Sequence, residues 1–435
     1  MSELRAHPTP IPGLLLVDLP VHRDSRGWFK ENWQREKMTA LGLPDFFPVQ
    51  NNISFNTTVG ATRGIHAESW DKLISVASGS VFATWVDLRQ GESFGATFSA
   101  EIDPGRAVFV PRGVGNSYQT LEADTVYTYL VNDYWSADAT YTNLNLADET
   151  VAIAWPIPLV DAEISDKDRA HPRLPDVVPM APRKTLIIGA SGQLGKALVA
   201  ALPEAEAWTE DEFDLTDRSG YERVSWRDYG VIINAAAYTA VDAAETTQGR
   251  RDAWRVNVSG LVELAKVATL HGLTLVHVSS DYVFDGEEPE HGVDEGYSPL
   301  GVYGQTKAAG DAVVSTVPHH YIVRTSWVIG EGANFVSTMQ RLAESGVDPS
   351  VVDDQVGRLT YTPDLAAAIV RLVTEGAPYG VHNVTSGGEP RSWYEIAREV
   401  FEDAGHDPDR VTPTSSAEYG KGKNLAPRPS NSTLS

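Results

Sequence analysis

The chain has no cysteine in 435 residues, which excludes disulfides and thiolate-held metals and fits a reducing compartment. No apolar run is long enough to cross a bilayer. The opening Met1-Ser-Glu-Leu-Arg-Ala-His-Pro-Thr-Pro lacks the apolar core of a signal peptide, so a cytoplasmic location is expected. Positive charge is scarce: 35 Lys and Arg face 59 Asp and Glu. The net charge of −24 speaks against nucleic acid or an anionic membrane as partner. Internal repeats and low-complexity tracts are missing as well. What remains is a globular composition, 42% hydrophobic, on a chain long enough for two or three cores at roughly 150 residues each.

The pattern changes partway along. From about Pro8 to Leu174 the chain offers short β-rich runs separated by Gly, Pro, Asn and Asp; Leu73 to Leu88 is typical, two strand-like stretches around Ala77-Ser-Gly-Ser80. Such a succession predicts a sandwich or jelly-roll barrel. Arg169 to Pro182 holds four prolines and little periodicity. The expected layout is therefore a barrel domain over 1–174, a linker over 175–183 and a second domain over 184–435. In that second domain Thr185–Ile188, Gly230–Asn234, Leu273–Val278, Tyr321–Arg324 and Gly380–Val384 read as strands alternating with helices, which predicts a Rossmann-like, doubly wound parallel sheet. The first of these strands stops at Gly189-Ala-Ser-Gly192-Gln-Leu-Gly195 and gives way to a helical run with Leu194, Leu198 and Leu202. Strand, glycine turn and helix is the setting for a dinucleotide: glycines admit the pyrophosphate and the helix N-terminus attracts its charge. The tail after Ala417 is rich in Gly, Lys and Ser but contains Arg428-Pro-Ser430, so it is expected to be docked.

Further along, Ser279-Ser-Asp-Tyr-Val-Phe-Asp-Gly286 places hydroxyls at a strand end, and Tyr303-Gly-Gln-Thr-Lys307 places a phenol and an ammonium on one helix face. A nearby cation is expected to lower the phenol below its usual ~10. Tyr303 can then protonate a carbonyl oxygen held by Ser280 as hydride reaches its carbon, with Lys307 close to a nicotinamide ribose. In the barrel half, His66 paired with a carboxylate can take a proton from carbon beside a ketone, and Lys72 can stabilise the enolate.

These motifs, with Asp214-Leu-Thr-Asp217, Asn234-Ala-Ala-Ala-Tyr-Thr-Ala-Val-Asp242, Asn257, Arg324-Thr-Ser-Trp327, Asp354-Gln-Val-Gly357 and Arg428-Pro-Ser430, make residues 183–434 resemble the dTDP-4-dehydrorhamnose reductase family of extended short-chain dehydrogenase/reductases. The resemblance implies Ser280, Tyr303 and Lys307 as the catalytic set. It implies Asp281, Tyr282, Trp327 and Arg428 at the sugar, and Gly189, Gly192, Gln193, Leu194, Gly195, Asp214, Leu215, Ala235, Ala236 and Tyr238, with Tyr303 and Lys307, along NADH or NADPH. Relatives often carry an arginine before the Asp-Leu-x-Asp motif; here Glu210 and Asp211 would repel a 2′-phosphate, which favours NADH. A Mg²⁺ requirement seen in some related reductases has no location in the sequence.

The barrel half resembles the dTDP-4-dehydrorhamnose 3,5-epimerases, cupin-type jelly rolls, through Asp24-Ser-Arg-Gly-Trp-Phe29, Gln50-Asn-Asn-Ile-Ser54, Arg63-Gly-Ile-His66, Lys72, Gly79-Ser-Val81, Val86-Asp-Leu-Arg89, Ala154-Trp-Pro156 and Ser165-Asp-Lys-Asp168. The resemblance implies His66 as base, Asp168 as its partner, Lys72 and Arg63 at the substrate, and Arg26, Gln50 and Asn52 at nucleotide or sugar, partly across a homodimer. It implies no metal. Asn116 stands where relatives have a histidine, and an ungapped register puts Thr128 where they have the acid tyrosine, between Tyr127 and Tyr129; Tyr134 aligns with a second family tyrosine. Strand alternation would then turn Tyr127 and Tyr129 away from the interior unless a bulge intervenes. The expected activity is epimerisation of dTDP-4-dehydro-6-deoxy-D-glucose at C3 and C5 followed by reduction at C4. The alternatives are a reductase of a related 4-keto sugar with a partial or silent epimerase, and a non-catalytic regulatory protein, as the regulatory β subunit of methionine adenosyltransferase shares the reductase fold.

Overall fold

The computed structural model describes residues 3–134 and 141–435. The chain divides into two compact units, Met1–Pro182 and Arg183–Ser435.

In the first unit antiparallel strands make two larger sheets and a small hairpin. One sheet is ordered Arg5–Pro8, Leu15–Asp18, Arg106–Val110, Lys72–Ser78, Thr125–Val131, Gln50–Asn56; the other is ordered Thr142–Asn143, Thr62–Ala67, Val114–Thr120, Val81–Asp87, Thr97–Ile102. Alternation along each strand turns one set of side chains into a shared core, where Ile74, Val76 and Val108 meet Ala83, Trp85 and Tyr118. The two runs around Ala77-Ser-Gly-Ser80 do not pair with each other but enter different sheets. Gly79 makes that change of sheet at φ +78°, where a Cβ would stand 2.3 Å from Thr125 Oγ1. Residues 175–182, expected as linker, are instead drawn onto the barrel. Leu174 and Val177 are buried in a cluster with Leu88 and Leu144. Met180 donates its N–H to Leu88 and accepts from Gln90 at 2.8 and 2.9 Å. The prolines prevent helix there, yet the apolar residues between them still gain by burial.

The second unit has a six-stranded parallel sheet ordered Glu206–Trp208, Lys184–Ile188, Tyr229–Asn234, Thr274–Ser280, His320–Thr325, Gly380–Asn383. Its strands are apolar on both sides. Leu186, Ile188, Ile232, Leu275 and Ile322 face one layer, packed on Leu261, Leu264 and Ala268 of the helix Leu261–His271. Their neighbours Ile187, Ile233, Val276 and Val323 face the other, packed on Leu194 and Leu198 of helix Gln193–Ala201 and Leu365 and Ile369 of helix Thr362–Thr374. The chain reverses its direction of winding between Lys184–Ile188 and Tyr229–Asn234, which opens a crevice at their carboxyl ends. The tail is docked: Ser432 pairs with Val356, and Arg428 donates to Asp242 Oδ1 at 2.8 Å.

Candidate active sites

The crevice of the second unit is a cleft of about 760 Å³ that collects most of the residues singled out from the sequence. Gly189, Gly192, Gln193, Leu194, Asp214, Leu215, Ala235, Ala236 and Tyr238 line one part; Ser280, Asp281, Tyr282, Tyr303, Lys307 and Trp327 line the other. Gly195 stands behind the wall, where a Cβ would come 2.1 Å from the Gly189 carbonyl oxygen; Gly189 itself has φ +85° and lies against Ala236. These glycines bring helix and loop together at the N-terminus of Gln193–Ala201, which has no side-chain cap, a cradle that fits a dinucleotide pyrophosphate. The opposite loop is held by Asn257, whose side chain accepts from Tyr238 N at 2.8 Å and donates to Tyr238 O at 3.1 Å and Thr306 Oγ1 at 3.0 Å. Asn257 sits in a π-helical turn, Arg255–Gly260, the kind of irregularity that re-aims a side chain.

At the reacting end, Ser280 closes its strand, donates to Asp281 Oδ1 at 2.9 Å, and hydrogen-bonds the Tyr303 phenol. The Tyr282 ring meets Tyr303 edge-on at 5.5 Å, and Arg428, behind Tyr282, bonds its phenol. Trp327, at φ +44°, stacks on Trp393 at 3.7 Å, and both indoles line the cleft. Burial pushes the Asp281 carboxyl up to about 6, against hydrogen bonds from Ser432 and Ser280. It lifts the Tyr282 phenol to about 12.

The expected lowering of Tyr303 by Lys307 is not found. Burial, then the Asp281 charge, pushes the Tyr303 phenol well above the usual tyrosine range. Lys307 points elsewhere, donating to the Val278 carbonyl at 2.7 Å and lying 3.3 Å from His277 Nε2. Burial lowers its ammonium to about 8, with Asp311 opposing. The sequence reading also missed what holds Lys307. His277, driven well below its usual range by burial and by Lys307, and the buried Asp311–Arg324 pair at 3.1 Å surround it. A polar residue within Leu273–Val278 and a carboxylate four residues after Lys307 were the available signals.

In the barrel unit His66 Nε2 lies 2.9 Å from Asp168 Oδ1. Asp168 is placed by a short helix, Asp166–Arg169, whose N-cap Ser165 accepts from Asp168 N at 3.1 Å; the Gly64 N–H donates to its other oxygen at 3.3 Å. Burial raises this carboxyl, but the His66 hydrogen bond and charge outweigh that and hold it below the usual range. Lys72 is buried in an ion pair with Glu68, and its Nζ lies 5.7 Å from the Tyr129 ring centre. Arg63 donates to Asn56 Oδ1 at 3.2 Å.

The register expected for the acid tyrosine is corrected. The strand Thr125–Val131 alternates without a break against Gln50–Asn56, and it is Tyr127 that faces the core, stacked on Tyr118 at 4.1 Å with its hydroxyl donating to Asn116 Oδ1 at 3.1 Å. Tyr129, two residues on, shares that face beside Lys72. Thr128 faces away and donates to Asn51 Oδ1 at 2.9 Å. Burial, then Glu68, pushes the Tyr129 phenol up, so it is protonated at neutral pH. Asn52 pairs directly with Tyr129 and accepts from Gln50 Nε2 at 2.7 Å, so both stand on the inner face. Tyr134 is 53% exposed. Arg26 is not brought to His66: it projects from the exposed hairpin His22–Phe29, bound to Asp24 at 2.6 Å. His171, which the sequence reading passed over, has a buried side chain whose ring lies edge-to-face on His66 at 5.2 Å.

The fold and the two sites thus define a chain with an acid–base jelly roll followed by a nucleotide-binding oxidoreductase unit. By sequence, the chain belongs to the RmlD substrate binding domain family over residues 183–435, and residues 8–176 match the dTDP-4-dehydrorhamnose 3,5-epimerase family. A Streptococcus pyogenes protein called Protein RmlC homolog is 49% identical over 180 residues, 40% of this chain and 90% of that protein. The dTDP-4-dehydrorhamnose reductase of Mycobacterium tuberculosis is 42% identical over 265 residues, 58% of this chain and 84% of that protein. A crystal structure of dTDP-4-dehydrorhamnose reductase from Bacillus anthracis in complex with NADP superposes with a TM-score of 0.54 at 35% identity, covering 58% of this chain and 90% of that one. The chain is a fusion of an epimerase domain and a reductase domain.

Proposed function

We propose that this chain carries out two consecutive steps: epimerisation of dTDP-4-dehydro-6-deoxy-D-glucose at C3 and C5 in the barrel, then reduction of the C4 ketone, giving dTDP-L-rhamnose. The observation that carries this reading is the presence of both sets in one chain, His66 held on Asp168 in one unit and Ser280, Tyr303 and Lys307 lining one cleft in the other.

In the barrel, Nε2 of His66 faces Asp168, which fixes the tautomer and leaves Nδ1 to take the proton from carbon beside the ketone. The Lys72 ammonium offsets charge developing on the enolate oxygen. Tyr129, held protonated, returns a proton to carbon from the side away from His66. Arg63, Gln50 and Asn52 bind sugar or nucleotide.

The reductase cleft takes NAD(P)H, which when bound supplies hydride to C4. Ser280 and Tyr303 hold the ketone oxygen, and Tyr303, protonated because of its burial, gives that oxygen its proton. Asp281, Tyr282, Trp327 and Arg428 position the sugar. Glu210 lines the adenine end of the cleft next to Asp214, which supports a preference for NADH, read as a higher kcat/KM than with NADPH. Among the described residues no three His, Asp or Glu side chains of this unit converge on one point, and no residue is assigned to Mg²⁺.

The exposed Ile53 and Phe55 on the edge strand Gln50–Asn56 and Val49 just before it, with Trp28 and Phe29 on the hairpin, support a homodimer of barrels in which Arg26 serves the other copy. No helix among the described residues is long and apolar enough to cross a membrane, and we place the enzyme in the cytoplasm.

The test follows solvent deuterium into C3 and C5 of the ketosugar without reduced cofactor, then NADH oxidation when it is added. Exchange at both carbons, lost in His66→Ala, and oxidation lost in Tyr303→Phe with NADH binding kept, are expected. Exchange that survives His66→Ala, or undiminished turnover in Tyr303→Phe, would remove the corresponding assignment.

A further inference from the structure

His171 is 6% exposed in its side chain, and its one hydrogen bond is to the backbone of Leu144. That bond uses one ring nitrogen and leaves the other without one, which is costly for a buried polar atom, and the ring stands beside a carboxylate. Its Nε2 lies 3.9 Å from Asp168 Oδ1, while His66 Nε2 lies 2.9 Å from the same oxygen. One ligand atom from each of the three residues falls within 4.8 Å of the others, and among the described residues this is the one group of three that does so. In a tetrahedral site with metal–ligand bonds of ~2.0 Å the ligand atoms stand about 3.3 Å apart, between the two distances found. Two imidazoles and one carboxylate suit Zn²⁺ and its first-row neighbours, and leave a coordination position open.

We propose that His66, Asp168 and His171 form a binding site for a divalent transition ion of the Zn²⁺ class, and that its occupancy switches the barrel off. The second half of this proposal rests on the reading of His66 as base. Nε2 is the nitrogen that faces Asp168, so an ion there takes the Nε2 lone pair and leaves the single proton of the neutral ring on Nδ1. The nitrogen that would accept the sugar's proton then has none to spare, and Asp168 is engaged by the ion. No oxidation or group transfer is involved; one proton moves from Nε2 to Nδ1 through solvent.

The test uses the full chain, free of any histidine tag and dialysed against EDTA. Co²⁺ is titrated and followed by its visible absorption, and Zn²⁺ is added to the deuterium-exchange assay without reduced cofactor. One equivalent of Co²⁺ per chain is expected, with affinity in His171→Gln falling by more than the ~10–100-fold that loss of a supporting residue costs a metal site. Zn²⁺ should abolish exchange in the natural sequence, EDTA should restore it, and the same Zn²⁺ concentration should leave exchange running in His171→Gln. His171→Phe, which fills the same space, should behave likewise and guards against a folding defect in the first variant. No stoichiometric Co²⁺ binding, or binding unchanged in both variants, would overturn the site. Stoichiometric binding with exchange still running would overturn the switch. If the metal-free protein shows no exchange at all, the epimerase reading fails while the Co²⁺ titration still decides the site.

Discussion

Replacing Asp281 by Asn should stabilise the reductase unit while impairing its turnover. The carboxyl is 2% exposed, and burial raises it from an ordinary 3.8 to about 6. The folded chain therefore holds this proton more tightly than the unfolded chain does. Stability falls as pH rises through the interval between the two values, and the full penalty stands above it. The shift of about 2 units corresponds to about 3 kcal/mol at pH ~7.5 and roughly half that at pH ~5. Asn removes the charge but accepts less strongly from Ser280 and Ser432, so about 1–2 kcal/mol of net gain is expected at pH ~7.5. Two units in one chain need not unfold together, so the assay is amide hydrogen exchange in the strand Thr274–Ser280, which opens with its own unit. Slower exchange in Asp281→Asn at pH ~7.5, with a smaller advantage at pH ~5 once intrinsic rates are divided out, is the expected result. Faster exchange, or an advantage that does not shrink on acidification, would refute a buried, charged and penalised Asp281.

Three further outcomes follow from distances in the structure. Tyr129→Phe should cost the barrel ~10²-fold or more in epimerised product while deuterium still enters the first carbon, because the base is intact and the acid is gone. Tyr127→Phe should cost only about 1 kcal/mol, the loss of one hydrogen bond to Asn116, and the opposite ranking in the product assay would exchange their roles. Gly195→Ala puts a Cβ 2.1 Å from the Gly189 oxygen and 2.8 Å from Ala190 backbone, which cannot yield as a side chain could. A destabilisation of about 1–3 kcal/mol and lost NADH fluorescence binding are expected, with barrel exchange untouched; normal binding would contradict the close approach.

Much of the second unit was legible because its signals are local. Apolar runs such as Thr185–Ile188 and glycine at a strand end state their own structure, and the observed strand Lys184–Ile188 differs from the reading by one residue. The pair Tyr303 and Lys307 is likewise set by helix spacing alone. What spacing could not supply was the dielectric around it. Lys307 was expected to pull the Tyr303 phenol down, but the cation is turned onto the Val278 carbonyl and His277, and burial dominates the phenol. His277 and Asp311 come from different elements and meet only once strand and helix are packed, so their hold on Lys307 was outside any local pattern. The same holds for residues 175–182, where prolines signalled a break in helix but could not show that Leu174 and Val177 find a buried place on the barrel.

The barrel register shows how far an error of one residue reaches. Alternation has a period of two, so one misplaced residue inverts every later assignment of inside and outside along a strand. The sequence placed Thr128 inward on that count. Thr125–Val131 itself pairs with Gln50–Asn56 without a break, and the one irregularity lies on its other neighbour, where Ala77 is passed over between Ser78 opposite Val126 and Val76 opposite Tyr127. Tyr127, Tyr129, Asn52 and Ser54 therefore share the inner face, and Thr128 shares the outer one with the exposed Ile53. The threonine that appeared to cost the barrel its acid is a neighbour of Tyr129, the residue proposed for that role. Asn116 is likewise in use: it stands opposite His66 across the sheet, and its side chain accepts from Tyr127. The proposed chemistry gives a reason for Lys72 and Glu68 to be buried as an ion pair beside Tyr129, an arrangement that costs more in desolvation than an apolar pair of similar size would.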